Sequence, residues 1–331
     1  MKSSIYNKNI FLTGGTGSFG KCFIRHALKE KVKQITVFSR DEMKQWNLNL
    51  ELNEQKRVKF VIGDVRDLSA IKNSIGDSEL IVHAAATKIV PTAEYNPAEC
   101  VKTNVLGALN IIEAVRNTKV KKVVALSTDK ASAPINLYGA TKLVSDKLFV
   151  AANLNSDVAF SIVRYGNVMG SRGSVIPFFL EQSKTSQFTI TDKKMTRFMI
   201  SLNDGVELVK HAFNDMVGGE IYVKKIPSMK VLDIAKTIDP KAKIRVIGIR
   251  PGEKLHEQMI GLEDAPFTYE YDKHFKILPS INNWHLDKNR IKEGRIVATD
   301  FQYSSDSNSD WMQPDFLKKY IDSKEYKENS S

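Results

Sequence analysis

The feature that most constrains the fold is a regular alternation, across the first half of the sequence, of short apolar runs with segments of helical spacing. The apolar runs are IFLTG, ITVFS, VKFVIG, LIVHAA and VVALST. Runs of this length are typical of strands buried on both faces of a parallel sheet. The segments between them are FGKCFIRHALKE, DEMKQWNLNLELN, DLSAIKNSI and VLGALNIIEAVRNT. The alternation predicts βαβ units, and therefore an α/β fold with a doubly wound parallel sheet.

The first apolar run leads into a glycine-rich loop, TGGTGSFG, directly before the first helical segment. Gly14, Gly17 and Gly20 give the spacing G-x-x-G-x-x-G. Glycine is required where the backbone must turn tightly and approach a pyrophosphate at a helix N-terminus. A purely structural turn is the alternative, but a position between strand and helix favours a dinucleotide site. We therefore predict a Rossmann-like nucleotide-binding domain.

The end of the second strand indicates which dinucleotide is bound. An NAD site usually has an acid there that bonds the ribose hydroxyls. This chain has Ser39 and Arg40 instead, with Lys44 one helical turn further and Asp41 beyond the usual position of the acid. A guanidinium and an ammonium suit a 2′-phosphate, so we predict NADP as the cofactor.

A second cluster of reactive side chains lies in STDKASAPINLYGATK, residues 127–142. Tyr138 and Lys142 are four residues apart and so share one face of a helix. This pair, with the hydroxyl of Thr128, is enough for a simple alcohol oxidation. Asp129 and Lys130 are additional, and from spacing alone they are compatible with either a catalytic pair or an ordinary salt bridge beside a turn.

Composition argues against several other classes of protein. Cys22 and Cys100 provide neither a disulfide framework nor a metal-ligand spacing, which predicts a reducing cytoplasm and no metal site. No run approaches the about 18 apolar residues of a membrane span. The net charge is +11, but the lysines are spread along the chain near acids and no aromatic-basic interleaving occurs. We therefore predict neither a membrane nor a nucleic acid as partner.

Together these residues resemble the extended short-chain dehydrogenase/reductases, which modify nucleotide sugars. The motifs SRDEMKQ, GDVRDL, STDKA, NLYGATKL, RYGNVMGSRGSVIPFF, MTRF and GIRPGEKLHE narrow the resemblance. That set is similar to the inverting UDP-N-acetylglucosamine 4,6-dehydratases, the first enzymes of bacterial pseudaminic acid synthesis. The resemblance extends from about Asn9 to near Pro314.

The resemblance implies a role for each reactive residue. Tyr138 would take the proton of the sugar's 4-hydroxyl, with Thr128 orienting that hydroxyl. The charge of Lys142 and the oxidised nicotinamide would together lower the pKa of the phenol. A neutral Lys130 would then remove the hydrogen on carbon 5, and a protonated Asp129 would protonate the departing 6-hydroxyl. Burial is expected to favour these uncharged forms of both groups. Return of a proton on the opposite face would invert carbon 5.

The resemblance also implies the residues that contact the cofactor and the substrate. The predicted cofactor contacts are Gly14, Thr16, Gly17, Ser18, Phe19, Gly20, Ser39, Arg40, Lys44, Asp64, Val65, Ala84, Ala86, Lys88, Tyr138 and Lys142. Of these, Asp64 and Val65 would lie against the adenine. The predicted substrate contacts are Lys88, Asn167, Thr191, Arg197, Arg250 and Glu253. The arginines would bind pyrophosphate, and Glu253 would bind a ribose hydroxyl.

The division into domains follows from the same reasoning and from the length of 331 residues. We predict an NADP-binding Rossmann domain over 1–170, with a returning segment near 196–224. The remaining segments, 171–195 and 225–331, would form a smaller UDP-sugar domain. The resemblance further implies a cytoplasmic homo-oligomer, such as a hexamer, whose product serves the glycosylation of flagellin or of a surface glycan.

Several departures and alternatives accompany this interpretation. Thr87 and Ile89 stand where relatives tend to have leucine and histidine, and Ser132 and Ala133 stand where they tend to have alanine and asparagine. These positions bear on the shape of the sugar site and on the extent of epimerisation. The alternatives are a nucleotide-sugar 4-epimerase or plain dehydrogenase, a retaining 4,6-dehydratase, and a non-catalytic nucleotide-binding module. Asp129 and Lys130 argue against a 4-epimerase or plain dehydrogenase, because neither reaction removes the hydrogen on carbon 5.

Overall fold

The computed structural model of the protein describes residues 3–171 and 173–330, so Arg172 of the motif SRGSVIPFF lies outside the described residues. Its centre is a ten-stranded sheet. The first six strands are β1 (Asn9–Thr13), β2 (Gln34–Ser39), β3 (Val58–Ile62), β4 (Leu80–His83), β5 (Lys122–Leu126) and β6 (Ala159–Arg164). They are parallel and lie in the order β3-β2-β1-β4-β5-β6. The predicted α/β fold with a doubly wound parallel sheet is confirmed.

Helices cover both faces of this sheet. Those of the first half are α1 (Ser18–Lys29), α2 (Glu42–Glu51), α3 (Leu68–Ile75), α4 (Val90–Tyr95), α5 (Pro97–Val101), α6 (Gly107–Ala114) and α7 (Leu137–Ala152). Successive strand residues point to opposite faces, and both faces are apolar. Leu12 packs in one core cluster, while the neighbouring Phe11 packs in the other. One predicted helix differs, because 102–106 forms a π-helical turn before α6.

The second half adds short strands and helices. The strands are β7 (Asn167–Val168), β8 (Gln187–Ile190), β9 (Thr196–Ile200), β10 (Ile221–Lys224), β11 (Ser228–Lys230), β12 (Lys243–Val246), β13 (Gln258–Ile260), β14 (Thr268–Glu270), β15 (His274–Ile277), β16 (Arg295–Ile296) and β17 (Tyr303–Ser304). The helices are α8 (Val175–Ser183), α9 (Leu202–Asp215), α10 (Val231–Ile238), α11 (Lys288–Ile291), α12 (Pro314–Asp322) and α13 (Lys324–Ser330). Within the described residues, no helix combines the length and the apolarity that a membrane crossing requires.

The large sheet receives strands from the second half of the chain. β10, in the segment predicted to return near 196–224, pairs parallel with β6. β15, β14 and β16 then extend the same sheet in antiparallel fashion. Residues 268–296, which the sequence assigned to the substrate domain, therefore contribute to the nucleotide-binding sheet. A separate apolar cluster, which includes Phe179, Phe188 and Leu317, forms the core of the smaller lobe.

Candidate active site

A cleft of about 1070 Å³ lies at the carboxyl edge of the parallel strands and is closed on one side by the smaller lobe. In open α/β sheets, ligands bind at this edge. All but one of the predicted site residues line it, and these are Gly14, Thr16, Gly17, Ser18, Phe19, Gly20, Ser39, Arg40, Lys44, Val65, Ala84, Ala86, Lys88, Thr128, Asp129, Lys130, Tyr138, Lys142, Asn167, Thr191, Arg197, Arg250 and Glu253. The fold thus brings residues from distant parts of the chain to one cleft.

The glycine-rich loop forms the floor of the cleft between β1 and α1. Gly14 has a φ of +68°, and a Cβ atom there would lie 2.8 Å from the backbone nitrogen of Ala85. A side chain is therefore excluded at this position both by conformation and by space. The α1 helix begins directly after Gly17, with its N-terminus at the cleft. The N-terminus of a helix favours an anion, so this loop suits a phosphate group.

Two cations line the cleft at the end of β2. The Arg40 guanidinium is 60% exposed and lies 3.9 Å from the Asp64 carboxyl. The Lys44 ammonium lies 2.8 Å from the Asp41 carboxyl. That carboxyl also accepts the Lys44 backbone N–H, which caps α2. Asp41 is therefore engaged at the start of a helix, while both cations face the region of the cleft nearest β2.

Asp64 is the predicted cofactor contact that does not line the cleft. Its Oδ2 atom accepts hydrogen bonds from Arg66 Nε at 2.8 Å and from Arg66 Nη2 at 2.6 Å. The backbone N–H of Arg66 also donates to Oδ1. The expectation that this residue lies against an adenine stays a prediction, and Asp64 lies beside the cleft, 3.9 Å from the Arg40 side chain that lines it. Val65 does line the cleft, as predicted.

The additional acid–amine pair lies on a 3₁₀ turn, Asp129–Ala131, that follows β5. Asp129 is buried, and its Oδ1 atom lies 3.0 Å from Lys130 Nζ. On its other side, Lys130 Nζ lies 2.9 Å from Oε1 of Glu257, a residue that the sequence did not single out. The ammonium is thus held between two carboxyl groups.

The protonation of Lys130 differs from the expectation. Burial alone would lower the pKa of this amine, but the carboxyl groups of Asp129 and Glu257 outweigh burial and hold the pKa well above its ordinary value. The free site therefore favours the charged amine, and the neutral Lys130 required at the elimination step stays a prediction. The expectation considered burial and omitted the second carboxyl group, which favours the charged amine.

Tyr138 lies in the first turn of α7, beside the 3₁₀ turn. The neighbouring Gly139 makes this possible, since a Cβ atom there would lie 2.1 Å from the carbonyl oxygen of Lys130. Burial raises the pKa of the Tyr138 phenol to about 12, against the opposing influence of Lys130 and of a hydrogen bond with Thr128. Burial also lowers the pKa of Lys142, against the attraction of Asp146. The lowering of the phenol pKa by Lys142 together with an oxidised nicotinamide stays a prediction for the protein with its cofactor bound.

The segment after β12 contributes Arg250 and Glu253 to the cleft, and β9 contributes Arg197. Arg250 Nη2 lies 2.8 Å from Glu253 Oε1, and the Arg250 side chain is 60% exposed. Arg197 is buried, and it donates to the carbonyl oxygens of Thr196, Leu255 and Lys254. Arg250 is thus available to a ligand, whereas Arg197 also supports the segment that carries Glu253.

Three oxygen atoms that line the cleft are buried and have no hydrogen-bond partner within the described part of the chain. They are Asp129 Oδ2, Glu257 Oε2 and Asn167 Oδ1. A buried polar atom without a partner is costly and calls for an explanation. A bound polar ligand would satisfy them.

Glu257 is the site residue that sequence reasoning missed. It closes the motif GIRPGEKLHE, whose Arg250 and Glu253 were selected. Its charge is uninformative by itself, because a Glu in a polar segment is usually solvated. Only the pairing of the segment with the turn after β5 reveals that the carboxyl is buried against Lys130.

A further group of potential metal-ligating side chains lies away from the cleft, at His26, Glu30 and Glu207. The Lys210 ammonium forms ion pairs with both glutamates, at 2.8 Å from Glu207 Oε1. A protein cation thus already occupies the position where a metal ion would bind, and the prediction of no metal site stays a prediction.

Comparison with known proteins gives the family. The model of the family described as polysaccharide biosynthesis protein matches residues 10–279. The chain belongs to this family. The inverting UDP-N-acetylglucosamine 4,6-dehydratase of Campylobacter jejuni subsp. jejuni serotype O:23/36 (strain 81-176) is 50% identical over 315 residues, covering 92% of this chain and 94% of the relative. The predicted resemblance is confirmed.

The polysaccharide biosynthesis family also contains relatives with another name. A UDP-glucose 4-epimerase of Rickettsia bellii (strain OSU 85-389) is 42% identical over 311 residues, covering 90% of this chain and 91% of the relative. Among solved structures, Pen from Bacillus thuringiensis is 35% identical with a TM-score of 0.87, covering 96% of this chain and 98% of that chain. The likeness extends over both lobes of the molecule.

Proposed function

We propose that the protein is an inverting UDP-N-acetylglucosamine 4,6-dehydratase, a hydro-lyase. Its product is UDP-2-acetamido-2,6-dideoxy-β-L-arabino-hex-4-ulose. The observation that carries this proposal is that two acid–base pairs, Tyr138 with Lys142 and Asp129 with Lys130, line one cleft. The Campylobacter relative, at 50% identity, supports the same activity.

A 4-epimerase is the second candidate, because the Rickettsia relative carries that name at 42% identity. Epimerisation at carbon 4 needs transfer of the hydride of that carbon to a nicotinamide and its return on the other face, with Tyr138 taking and returning the hydroxyl proton. It has no use for a base directed at carbon 5. The buried contact of 3.0 Å between Lys130 and Asp129, adjacent to Tyr138 on the cleft wall, favours the dehydratase.

We propose NADP as the cofactor. The floor at Gly14, where a Cβ atom would meet the backbone of Ala85, fits a closely approaching pyrophosphate. Arg40 and Lys44, both on the cleft, fit a 2′-phosphate. When bound, the nicotinamide supplies a hydride acceptor for carbon 4 of the sugar and a hydride donor for carbon 6.

The first step rests on Tyr138. Its phenol takes the proton of the sugar's 4-hydroxyl as that carbon is oxidised. Because burial raises the pKa of the phenol to about 12, the group needs nearby positive charge in order to lose its own proton first. Lys130 and Lys142 supply positive charge from the protein, and Thr128 holds the phenol by a hydrogen bond.

The elimination rests on Asp129 and Lys130. In the free site, Lys130 carries the proton that the pair shares. Movement of this proton from Nζ to Asp129 Oδ1, 3.0 Å away, gives a neutral amine and a protonated acid without exchange with solvent. The amine then takes the hydrogen of carbon 5, and the electron pair of that C–H bond expels the 6-hydroxyl. Asp129 donates the proton that it received from Lys130 to the departing 6-hydroxyl, which leaves as water.

Inversion at carbon 5 follows when the proton is returned on the opposite face. Incubation with UDP-N-acetylglucosamine in deuterated water, followed by NMR of the product, tests the proposed function. We expect a 4-keto-6-deoxy sugar with deuterium at carbon 5 and the inverted configuration. Formation of only the 4-epimer of a UDP-hexose would show the second candidate instead. Retained configuration would leave a dehydratase and remove the inversion.

The choice of NADP is tested by removing the two cations near β2. The double variant Arg40→Ala, Lys44→Ala should bind NADP⁺ at least about tenfold more weakly, because each charge-assisted hydrogen bond contributes about 1.5–3 kcal/mol. NAD⁺ binding should change little. Calorimetric titration of both nucleotides measures this, with the exposed Lys184→Ala as the control. Release of NAD alone from the denatured wild-type protein would contradict the choice.

The proposed activity also implies a cellular compartment and a use for the product. We propose a cytoplasmic homo-oligomer, such as a hexamer, whose product enters pseudaminic acid synthesis for modification of flagellin or of a surface glycan. The motifs from SRDEMKQ to GIRPGEKLHE, which are similar to those of the inverting dehydratases, support this setting.

A further inference from the structure

Glu257 directly precedes β13, and its position is fixed from two sides. Its backbone N–H donates to Ser305 Oγ at 2.9 Å, and its carbonyl oxygen accepts the Ser305 backbone N–H at 2.8 Å. The residue is 1% exposed. A carboxyl group buried to this extent is costly unless it is paired. This carboxyl group therefore requires a positively charged partner in the site.

The Glu257 carboxyl presents one oxygen atom to Lys130 and leaves the other without a partner. Oε1 lies 2.9 Å from Lys130 Nζ, and Oε2 is buried without a hydrogen bond. Asp129 shows the same arrangement, with Oδ1 at 3.0 Å and Oδ2 without a partner. Lys130 Nζ is thus contacted from both sides by carboxyl groups.

An amine that acts as a base needs its lone pair aimed at the hydrogen that it removes. When Lys130 has passed one proton to Asp129, two N–H bonds and one lone pair remain on Nζ. Rotation about the last C–N bond of the side chain would let that lone pair point in several directions. An acceptor at 2.9 Å, such as Glu257 Oε1, engages one N–H and so restricts this rotation.

We propose that Glu257 is a positioning residue for Lys130, which orients the amine by accepting one of its N–H bonds and retains, through its charge, the proton that Lys130 and Asp129 exchange. This inference rests on the proposed function. Glu257 acts through Lys130, and Lys130 makes the contact with carbon 5.

The charges around Glu257 determine the direction of the pH effect. Asp129 and Lys130 face it from the turn after β5, Arg197 Nε lies 3.8 Å from Oε1, and Lys254 lies on the preceding segment. Tyr138 faces Lys130 from α7. Burial lowers the pKa of Lys130, and the two carboxyl groups raise it by more. Replacing one carboxylate by an amide must therefore lower the pH at which the shared proton is lost.

Glu257→Gln keeps the shape and an acceptor oxygen but removes the charge. We expect kcat to fall about tenfold or more, because without the charge the pair retains its proton less firmly, with KM changed by less than about twofold. The loss of activity at alkaline pH should begin about one pH unit lower than in the wild type. Glu257→Asp keeps the charge but withdraws the carboxyl from Nζ. This variant should keep the wild-type alkaline limb and show a reduced kcat.

The matched control is Glu181→Gln, since Glu181 is an exposed glutamate that forms an ion pair with Lys184 on the surface. It should have the wild-type kcat and pH profile. A Glu257→Gln enzyme with wild-type kcat and alkaline limb would overturn the proposal. So would an equal loss in both Glu257 variants accompanied by lost UDP-sugar binding and a lowered melting temperature, since that pattern indicates a structural role.

A measurement without turnover separates this inference from the proposed function. Nitrogen-15 NMR of labelled lysine in the protein reports the titration of Lys130 Nζ. Its titration midpoint should fall in Glu257→Gln and stay near the wild-type value in Glu257→Asp. If the wild type makes no 4-keto-6-deoxy sugar, the proposed function fails while this shift can still be observed. If the wild type turns over and the midpoint is unchanged in Glu257→Gln, the inference alone fails.

Discussion

Lys130→Ala should abolish dehydration and slow the first proton transfer much less, because Lys142 still lines the cleft one helical turn from Tyr138. Removing a positioned general base typically costs about 10²–10⁴-fold in rate. Tyr138 lies on a different element and does not need Lys130 in order to contact the 4-hydroxyl. Elimination should therefore become rate-limiting, and the near-ultraviolet absorbance of a reduced nicotinamide should accumulate when UDP-N-acetylglucosamine is added. Rapid mixing with absorbance detection, together with NMR of the product, measures both effects.

The same experiment separates the roles of the two neighbouring residues. Asp129→Asn should behave similarly but more mildly, because an amide keeps the hydrogen bonds and lacks the proton for the departing 6-hydroxyl. Lys147→Ala is the matched control, since that lysine is exposed on α7. A Lys130→Ala enzyme that forms the 4-keto-6-deoxy sugar at near the wild-type rate would refute the assignment of the base.

The parallel part of the fold was predictable because its determinants are local. The first five strands are mainly apolar, as strands covered by helices on both faces must be, and only the edge strand β3 carries an exposed lysine, Lys59. Leu12 and Phe11 show this directly, since adjacent side chains enter different apolar clusters. The glycine loop was equally predictable, because Gly14 adopts a φ of +68° that other residues rarely tolerate.

The antiparallel extension of the sheet was not predictable from local pattern. β14, β15 and β16 have three, four and two residues, too short for a periodic signal. Their place at the edge of the sheet depends on the pairing of β15 with β10, across about fifty residues of chain. Residues 268–296 therefore carry no local sequence signal that would place them in the large sheet.

Most residues that line the site were predictable from the sequence, but their protonation states were less predictable. Motif resemblance selected residues such as Lys130 and Tyr138, which do line the cleft. The pKa of a buried group, however, depends on which charges surround it after folding. Asp129 and Glu257 together outweigh burial at Lys130, and the Asp64 carboxyl is hydrogen-bonded to Arg66. Both effects come from contacts that no motif records.

Tyr138→Phe should abolish oxidation at carbon 4 and with it every later step. The variant lacks the phenol oxygen that takes the 4-hydroxyl proton, so the expected loss in kcat is about 10²–10⁴-fold or more. UDP-sugar binding should remain nearly intact, because the aromatic ring is kept and Arg250 and Glu253 are unchanged. In contrast to Lys130→Ala, no reduced nicotinamide should accumulate. Tyr138→Phe therefore stops the reaction before the oxidation, and Lys130→Ala stops it after the oxidation.

The control for Tyr138→Phe is Tyr95→Phe, since Tyr95 is 88% exposed on α4. Titration calorimetry with UDP-N-acetylglucosamine separates lost binding from lost chemistry in both variants. Wild-type turnover by Tyr138→Phe would show that another group accepts the proton, and Lys130 would then be the nearest candidate on the cleft wall. If the variant instead lost substrate binding in proportion to kcat, the phenol would serve to hold the sugar and the order of steps proposed above would fail. A phenol whose pKa is raised to about 12 by burial keeps its own proton until positive charge is placed beside it. Oxidation by the wild type should therefore depend on a bound cationic nicotinamide.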